Sequence, residues 1–203
     1  MSLYGSSVEY GLHCLVYLVR PSASGDDVAM AAKDLADFQG VSPSLVAKIF
    51  TQLQKAGLVV SAEGVRGGYR LARPAAEITV LDVVDAVEGD KPLFTCKQIQ
   101  GNCAVLEGEH AERAARGMCM IHSIMLEAEQ AMRRSLRSYT LADLANGLTS
   151  SMPPRFMQNM EAWFRRRLTA RGGSKAGDLP PGGLVTLSTD TSRKNRRTTK
   201  AAT

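Results

Sequence analysis

Three of the four cysteines, Cys96, Cys103 and Cys119, share one polar stretch with the spacing Cys-x6-Cys-x15-Cys. Thiolates are soft, anionic donors, so in a reducing compartment such a group points to metal or redox chemistry rather than structural disulfides. The fourth, Cys14, adjoins an apolar helical stripe and reads as a small buried hydrophobe. Two other sets of side chains are spaced to complete a site. Glu9 and His13 stand four residues apart, on one face of a helix, and His122 follows Cys119 by about one helical turn. Each has a plainer role open to it. Ser6 and Glu9 are spaced as a capping box, in which Glu9 only satisfies a backbone N–H. His13 could be an ordinary helix-face histidine, and His122 could simply pack beside a helix. His110 and His122 lack an evident orienting partner, and no Cys-x-x-Cys motif, phosphate loop or catalytic triad is present, so an enzyme is not expected.

A second constellation is basic and rich in glycine. Ser42–Val60 (SPSLVAKIFTQLQKAGLVV) is a capped amphipathic helix running into an apolar strand, and Gly64–Pro74 (GVRGGYRLARP) is a tight hairpin carrying three arginines. Residues 1–148 hold 14 Lys and Arg against 17 Asp and Glu, yet 43–73 carry Lys48, Lys55, Arg66, Arg70 and Arg73 against Glu63 alone. Positive charge is concentrated where phosphate attraction would need it. A helix followed by such a hairpin suits the major groove of DNA and a neighbouring minor-groove or phosphate contact. Ser42 and Ser44 sit at the helix N-terminus, where free N–H groups favour phosphate. Lys48 and Gln52 share the surface left once Leu45, Ile49 and Leu53 are buried, and Gln52 could read a base edge. Arg66 stands at the hairpin tip for minor-groove insertion, with Gly67 and Tyr69 beside it. The expected contacts are thus Ser42, Ser44, Lys48, Gln52, Arg66, Gly67 and Tyr69.

These residues need a scaffold, and its punctuation is legible. Ser6 or Ser7 starts a helix over roughly 8–20, and a second helix runs over roughly 28–38. Gly40 allows the corner, and Ser42 caps the third helix with Pro43 at its first position. Leu58–Ala62 and Tyr69–Ala72 read as wing strands, and Thr79 starts a helix that Gly89 stops. From Met118 to about Tyr139, Ile121, Met125, Ala128, Met132 and Leu136 make a long amphipathic helix, the kind that packs on another subunit. The expected fold is mainly α with a small β wing: a winged helix-turn-helix plus a long C-terminal dimerisation helix. The divisions are a DNA-binding domain over 1–90, a cysteine-bearing loop over 91–117, a dimerisation helix and short return over 118–148, a basic amphipathic helix over 149–170, and a disordered basic tail over 171–203. A homodimer would match two-fold operator half-sites on double-stranded DNA. No apolar run is long enough to span a membrane and no secretory signal is evident, so a cytoplasmic protein is expected.

With VEYGLHCLVYL, SPSLVAKIFTQLQKAGLV, GVRGGYRLARP, ITVLDVVDAVEG and the later cysteines in this order, residues 1–148 resemble the Rrf-two (Rrf2) family. Those proteins are dimeric winged-helix repressors and activators, many of which sense through an iron–sulfur cluster. The resemblance implies a repressor whose operator affinity follows redox, nitric oxide or iron status through a cluster on Cys96, Cys103 and Cys119. RsrR-like members hold a two-iron, two-sulfur (2Fe-2S) cluster between subunits, with a Glu and a His from the first helix of the opposite chain. EYGLH matches that pattern at Glu9 and His13. IscR-like members instead use a histidine at the offset of His122, although they and NsrR-like members space their cysteines closely and evenly. Both ligand sets stay open, with 2Fe-2S preferred to 4Fe-4S. Zinc is disfavoured because the Cys-x2-Cys knuckle is missing. The alternative is a cluster-free winged-helix regulator sensing by thiol oxidation or through a partner protein.

Overall fold

The computed structural model describes residues 3–19, 29–89, 91–97 and 119–172. Cys103, His110 and the tail from 173 onward lie outside the described residues, as do most of the cysteine-bearing loop and the start expected at Met118.

Helix α1 (Ser6–Leu18) buries Val8, Gly11, Cys14, Leu15 and Tyr17, a stripe at helical spacing. Its start corrects the expected cap. Gly5 is the N-cap residue and no side chain of α1 caps the helix. The Gly5 N–H donates instead to Glu88 Oε1 at 2.9 Å. At Gly11 an added Cβ would lie 3.3 Å from Ile49 Cγ2, so glycine lets α1 approach its neighbours closely. Helix α2 (Ala32–Gln39) is shorter than expected, because Met30 is extended and pairs antiparallel with Tyr69. Gly40 then turns the corner with φ of 67°. Helix α3 (Pro43–Lys55) begins at Pro43 as expected, but the Ser42 hydroxyl bonds to that of Ser44 at 2.8 Å rather than capping backbone.

The wing consists of β1 (Val59–Ala62) and β2 (Gly68–Leu71), antiparallel, with Val59 opposite Leu71 and Ala62 opposite Gly68. After a short 3-10 turn at Ala75–Glu77, α4 (Val80–Glu88) opens with a full capping box between Thr79 and Asp82 and ends at Gly89. Helices α5 (Met120–Arg137), α6 (Leu141–Ser151) and α7 (Pro154–Arg171) follow. The α5–α6 junction is pinned to the start of α4. Val80 N–H donates to Tyr139 O at 2.8 Å, and Leu141 N–H to Ile78 O at 2.9 Å.

One core joins these elements. Leu15, Leu35, Val46, Ile49, Phe50, Leu53, Ile78, Val83, Leu141 and Phe164 are all fully buried. The fold is mainly helical with a two-stranded wing, as the residue pattern indicated. Helix α7 lies within the stretch expected as a basic amphipathic helix but also includes Arg171, where a disordered tail is expected, and its Met160 and Phe164 enter the same core. Phe164 is within 4.9 Å of Phe38 and 6.2 Å of Tyr17, ring centre to ring centre. By contrast α5 buries none of its residues fully, and Met120, Ile121 and Ile124 are 77%, 65% and 57% exposed. Among the described residues no helix is long and apolar enough to cross a membrane.

Candidate DNA-reading face and cysteine site

Helix α3 is amphipathic in a way that separates reading from packing. Val46, Ile49, Phe50 and Leu53 face the core, while Ser44, Ala47, Lys48, Thr51 and Lys55 face outward. Ser42, Ser44 and Lys48 therefore stand exposed at the N-terminal half of the helix. Gln52 does not join them. It is half-buried, and its Nε2 donates to Val87 O at 3.1 Å, satisfying a carbonyl in the last turn of α4 that the helix itself leaves open. Thr51 and Lys55 occupy the outward stripe in its place. The signal was available, since they follow Lys48 at three and seven residues, the spacing of one helix face. Arg66 is exposed at the wing tip. Tyr69 is half-buried, with its ring 4.7 Å from that of Phe50 and both backbone groups bonded to Met30. Those contacts seat the wing on the helical unit. Gly67 holds the tip turn, its N–H donating to Gly64 O at 2.8 Å. Of the remaining wing arginines, Arg73 pairs with Asp82 at 3.3 Å.

The cysteines divide by environment. Cys14 is fully buried, accepts a hydrogen bond from Gln39 Nε2 at 3.0 Å, and has its pKa pushed up to about 12 by burial. Cys96 and Cys119 are half-buried and in no disulfide. Cys119 is the N-cap residue of α5, one turn from His122. The segment that carries Cys96 lies along the same helix. Leu93 N–H donates to Glu129 Oε2 at 3.0 Å, and the Phe94 ring is 6.0 Å from that of His122. It thus runs from the middle of α5 toward the end where Cys119 sits. His122 Nδ1 is buried with no hydrogen-bond partner among the described residues. A buried nitrogen left unpaired is costly, and an imidazole in that state is suited to receive a ligand bond.

Glu9 and His13 stand apart from this cluster, both exposed on α1. The capping role open to Glu9 has been taken by Glu88. Among the described residues no three His, Cys, Asp or Glu side chains converge on a metal position, and Cys103 lies outside them. Cys96, Cys119 and His122 are all described and do not form such a group; what fits a thiolate-bound centre is the donor chemistry alone, two half-buried thiols and one imidazole carried by residues 91–97 and the N-terminal end of α5.

The family model described as "Rrf2: Iron-dependent Transcriptional regulator" matches residues 4–147. The chain belongs to the Rrf2 family. It is accordingly a DNA-binding transcriptional regulator. Among its relatives, Protein rrf2 of Nitratidesulfovibrio vulgaris is 35% identical over 120 residues, 59% of this chain and 73% of that one. A protein named as an HTH-type transcriptional regulator in Mycobacterium tuberculosis is 30% identical over 177 residues, 85% of this chain and 98% of its own. Among solved structures, CymR, the global cysteine regulator of B. subtilis, aligns with TM-score 0.50 and 25% identity over 72% of this chain and 98% of CymR. IscR of T. potens aligns with TM-score 0.54 and 24% identity over 78% of this chain and 96% of its own, and shares the fold. The Rrf2 match ends before α7 begins.

Proposed function

We propose that this Rrf2-family regulator acts as a homodimeric repressor whose operator affinity is set by an iron–sulfur cluster held at the N-terminal end of α5. Ser42, Ser44 and Lys48 present the outward face of α3 to the major groove, and Arg66 takes the adjacent minor groove. The exposed Met120, Ile121 and Ile124 on α5 form the apolar face that a second copy covers.

His122 Nδ1, buried and unpaired among the described residues, carries the sensing half of the proposal, since it lies one turn from Cys119 and beside Phe94. Cys96, Cys103 and Cys119 would supply thiolates and His122 the imidazole; a bound cluster supplies reversible electron exchange and reactivity toward oxidants. A second ligand set has its own support. Glu9 and His13 share an exposed face of α1 without a hydrogen-bond partner among the described residues, which suits donation to a cluster on another copy. The relation to CymR, the global cysteine regulator of B. subtilis, keeps thiol-based sensing without a cluster as the competing possibility.

The chain's own contacts connect this end of the molecule to the DNA face. Arg133 of α5 grips Asp85 of α4 through two hydrogen bonds of 3.0 and 2.8 Å. Val87 of α4 in turn accepts from Gln52 of α3. A change in how α5 is held would be passed along this path, and a coupling of about 1–3 kcal/mol would shift DNA affinity roughly 5–150-fold. The test is anaerobic purification of the full chain, with iron and acid-labile sulfide assays beside absorption and EPR spectra. Wild type should be coloured and iron-loaded. Loss of the spectrum in His122→Ala but not His13→Ala selects the first ligand set, and the reverse selects the second. Colourless, iron-free protein whose DNA binding responds to peroxide would leave thiol sensing in its place.

A further inference from the structure

Helix α7 does more than cover α2. Phe164 fills the space between Tyr17 and Phe38, Trp163 stands edge-on to Phe38 at 5.2 Å, and Arg167 lies over the Trp163 ring at 4.7 Å. Anchored in this way, α7 runs so that its last turn reaches the wing. Arg171 forks there. Its Nη2 is 2.7 Å from Asp34 Oδ2 on α2, and its Nη1 donates to Gly67 O at the wing tip at 3.0 Å. Arg167 adds a pair with Asp37 at 2.9 Å and lies 3.8 Å from Asp34. Asp34 is only 5% exposed, so its charge needs this balance.

The wing is held at two places. Its base is seated on the extended backbone at Met30, so closely that a Cβ at Gly68 would lie 2.4 Å from the Met30 carbonyl carbon. Its tip is held by the Arg171 guanidinium. A side chain added at Gly172 would come within 3.2 Å of Arg66 Nε, so the end of α7 adjoins the arginine at the wing tip. Both acceptors of Arg171 are met at once because a guanidinium presents a planar fork, which a lysine ammonium does not.

We propose that Arg171 is a positioning residue for DNA recognition, bridging Asp34 of α2 and Gly67 of the wing so that Arg66 is set at a fixed height and angle relative to α3. The proposal rests on the assignment of Arg66 to the minor groove. It makes α7, which lies beyond the residues of the family match, a working part of the reading head.

The probe is a labelled duplex enriched from a random-sequence pool by the full-length wild-type chain, with a scrambled duplex of equal length as control. Affinities are measured across a salt series, and thermal unfolding is followed in parallel. Arg171→Ala and Asp34→Asn should each weaken the enriched duplex by about ten-fold, leave the scrambled duplex within about two-fold, and leave the salt slope unchanged. Arg171→Lys should fail to restore affinity. Equal losses on both duplexes with a shallower salt slope would make Arg171 a direct phosphate contact and overturn the proposal. Full rescue by Lys, a gain in affinity, or a lower melting temperature without any change in binding would also overturn it. Arg66→Ala separates the two claims. A loss there without a loss in Arg171→Ala overturns the positioning role alone, whereas no loss there removes the wing assignment and the proposal with it.

Discussion

Burial sets the chemistry of individual side chains here, and Cys14 illustrates its direction. Removing the thiol from water penalises the thiolate, and the amide of Gln39 does not offset this, so the pKa reaches about 12. With the thiolate disfavoured and the sulfur fully buried, alkylating reagents have almost nothing to attack. Iodoacetamide treatment of the native protein followed by peptide mass spectrometry should leave Cys14 unmodified until the chain is unfolded; labelling of Cys14 in the folded state would contradict its placement. Gln52 and Lys48 offer a second contrast within one helix. Gln52→Ala strips a half-buried hydrogen bond from Val87 O, so chemical denaturation should show a loss of about 1 kcal/mol. Lys48→Ala, on the exposed side, should leave stability within about 0.5 kcal/mol and weaken DNA binding in a salt-dependent way.

Elements in this protein are fastened to each other at their ends. Helix α1 has no cap of its own, and Glu88 of α4 accepts from the Gly5 N–H while also pairing with Lys91. The Lys91 hydrogen bond, followed by the one from Gly5, holds the Glu88 carboxyl below its ordinary value of 4.5. A carboxylate with a depressed native pKa stabilises the fold above its unfolded value and loses that contribution as pH falls through the native one. Acidification below pH 4.5 should therefore destabilise wild type more steeply than Glu88→Gln. Parallel slopes in pH-dependent urea unfolding would refute the role of Glu88. Helix α5 makes the opposite case, since among the described residues the apolar side chains of its first turns, Met120, Ile121 and Ile124, are largely exposed. On the proposed homodimer, Ile121→Asp or Ile124→Asp should give a folded monomer by light scattering and weaken operator binding; a variant that keeps the wild-type mass would remove α5 as the proposed dimer face.

For the described molecule as a whole, α7 packs on the winged helix-turn-helix, and its Arg171 bonds to Gly67 of the wing, 104 positions earlier in the chain. Phe164 is buried against Tyr17 and Phe38, so Phe164→Ala should cost about 3–5 kcal/mol in global unfolding. The melting transition should stay single, because α7 shares the core of the DNA-binding unit; a separate early transition would show that α7 unfolds on its own.

The sequence by itself determined the local grammar of this fold. Pro43 at the first position of α3, Thr79 at the start of α4, Gly40 at the corner and the glycines of the wing act within a few residues, so they can be read without knowing what lies nearby. Cys14 as a buried hydrophobe followed equally from its place on an apolar stripe. Tertiary structure decided the rest, because the deciding partners come from distant parts of the chain. Gln52 turned toward α4 because an open carbonyl at Val87 lay within reach. Glu88, 83 residues away, took over the bond that a capping box would have made. The sequence marked 149–170 only as basic and amphipathic, and folding set Arg167 and Arg171 against Asp34 and Asp37. Periodicity records which side of an element avoids water, whereas charge pairing across elements depends on which surfaces the packed core brings together.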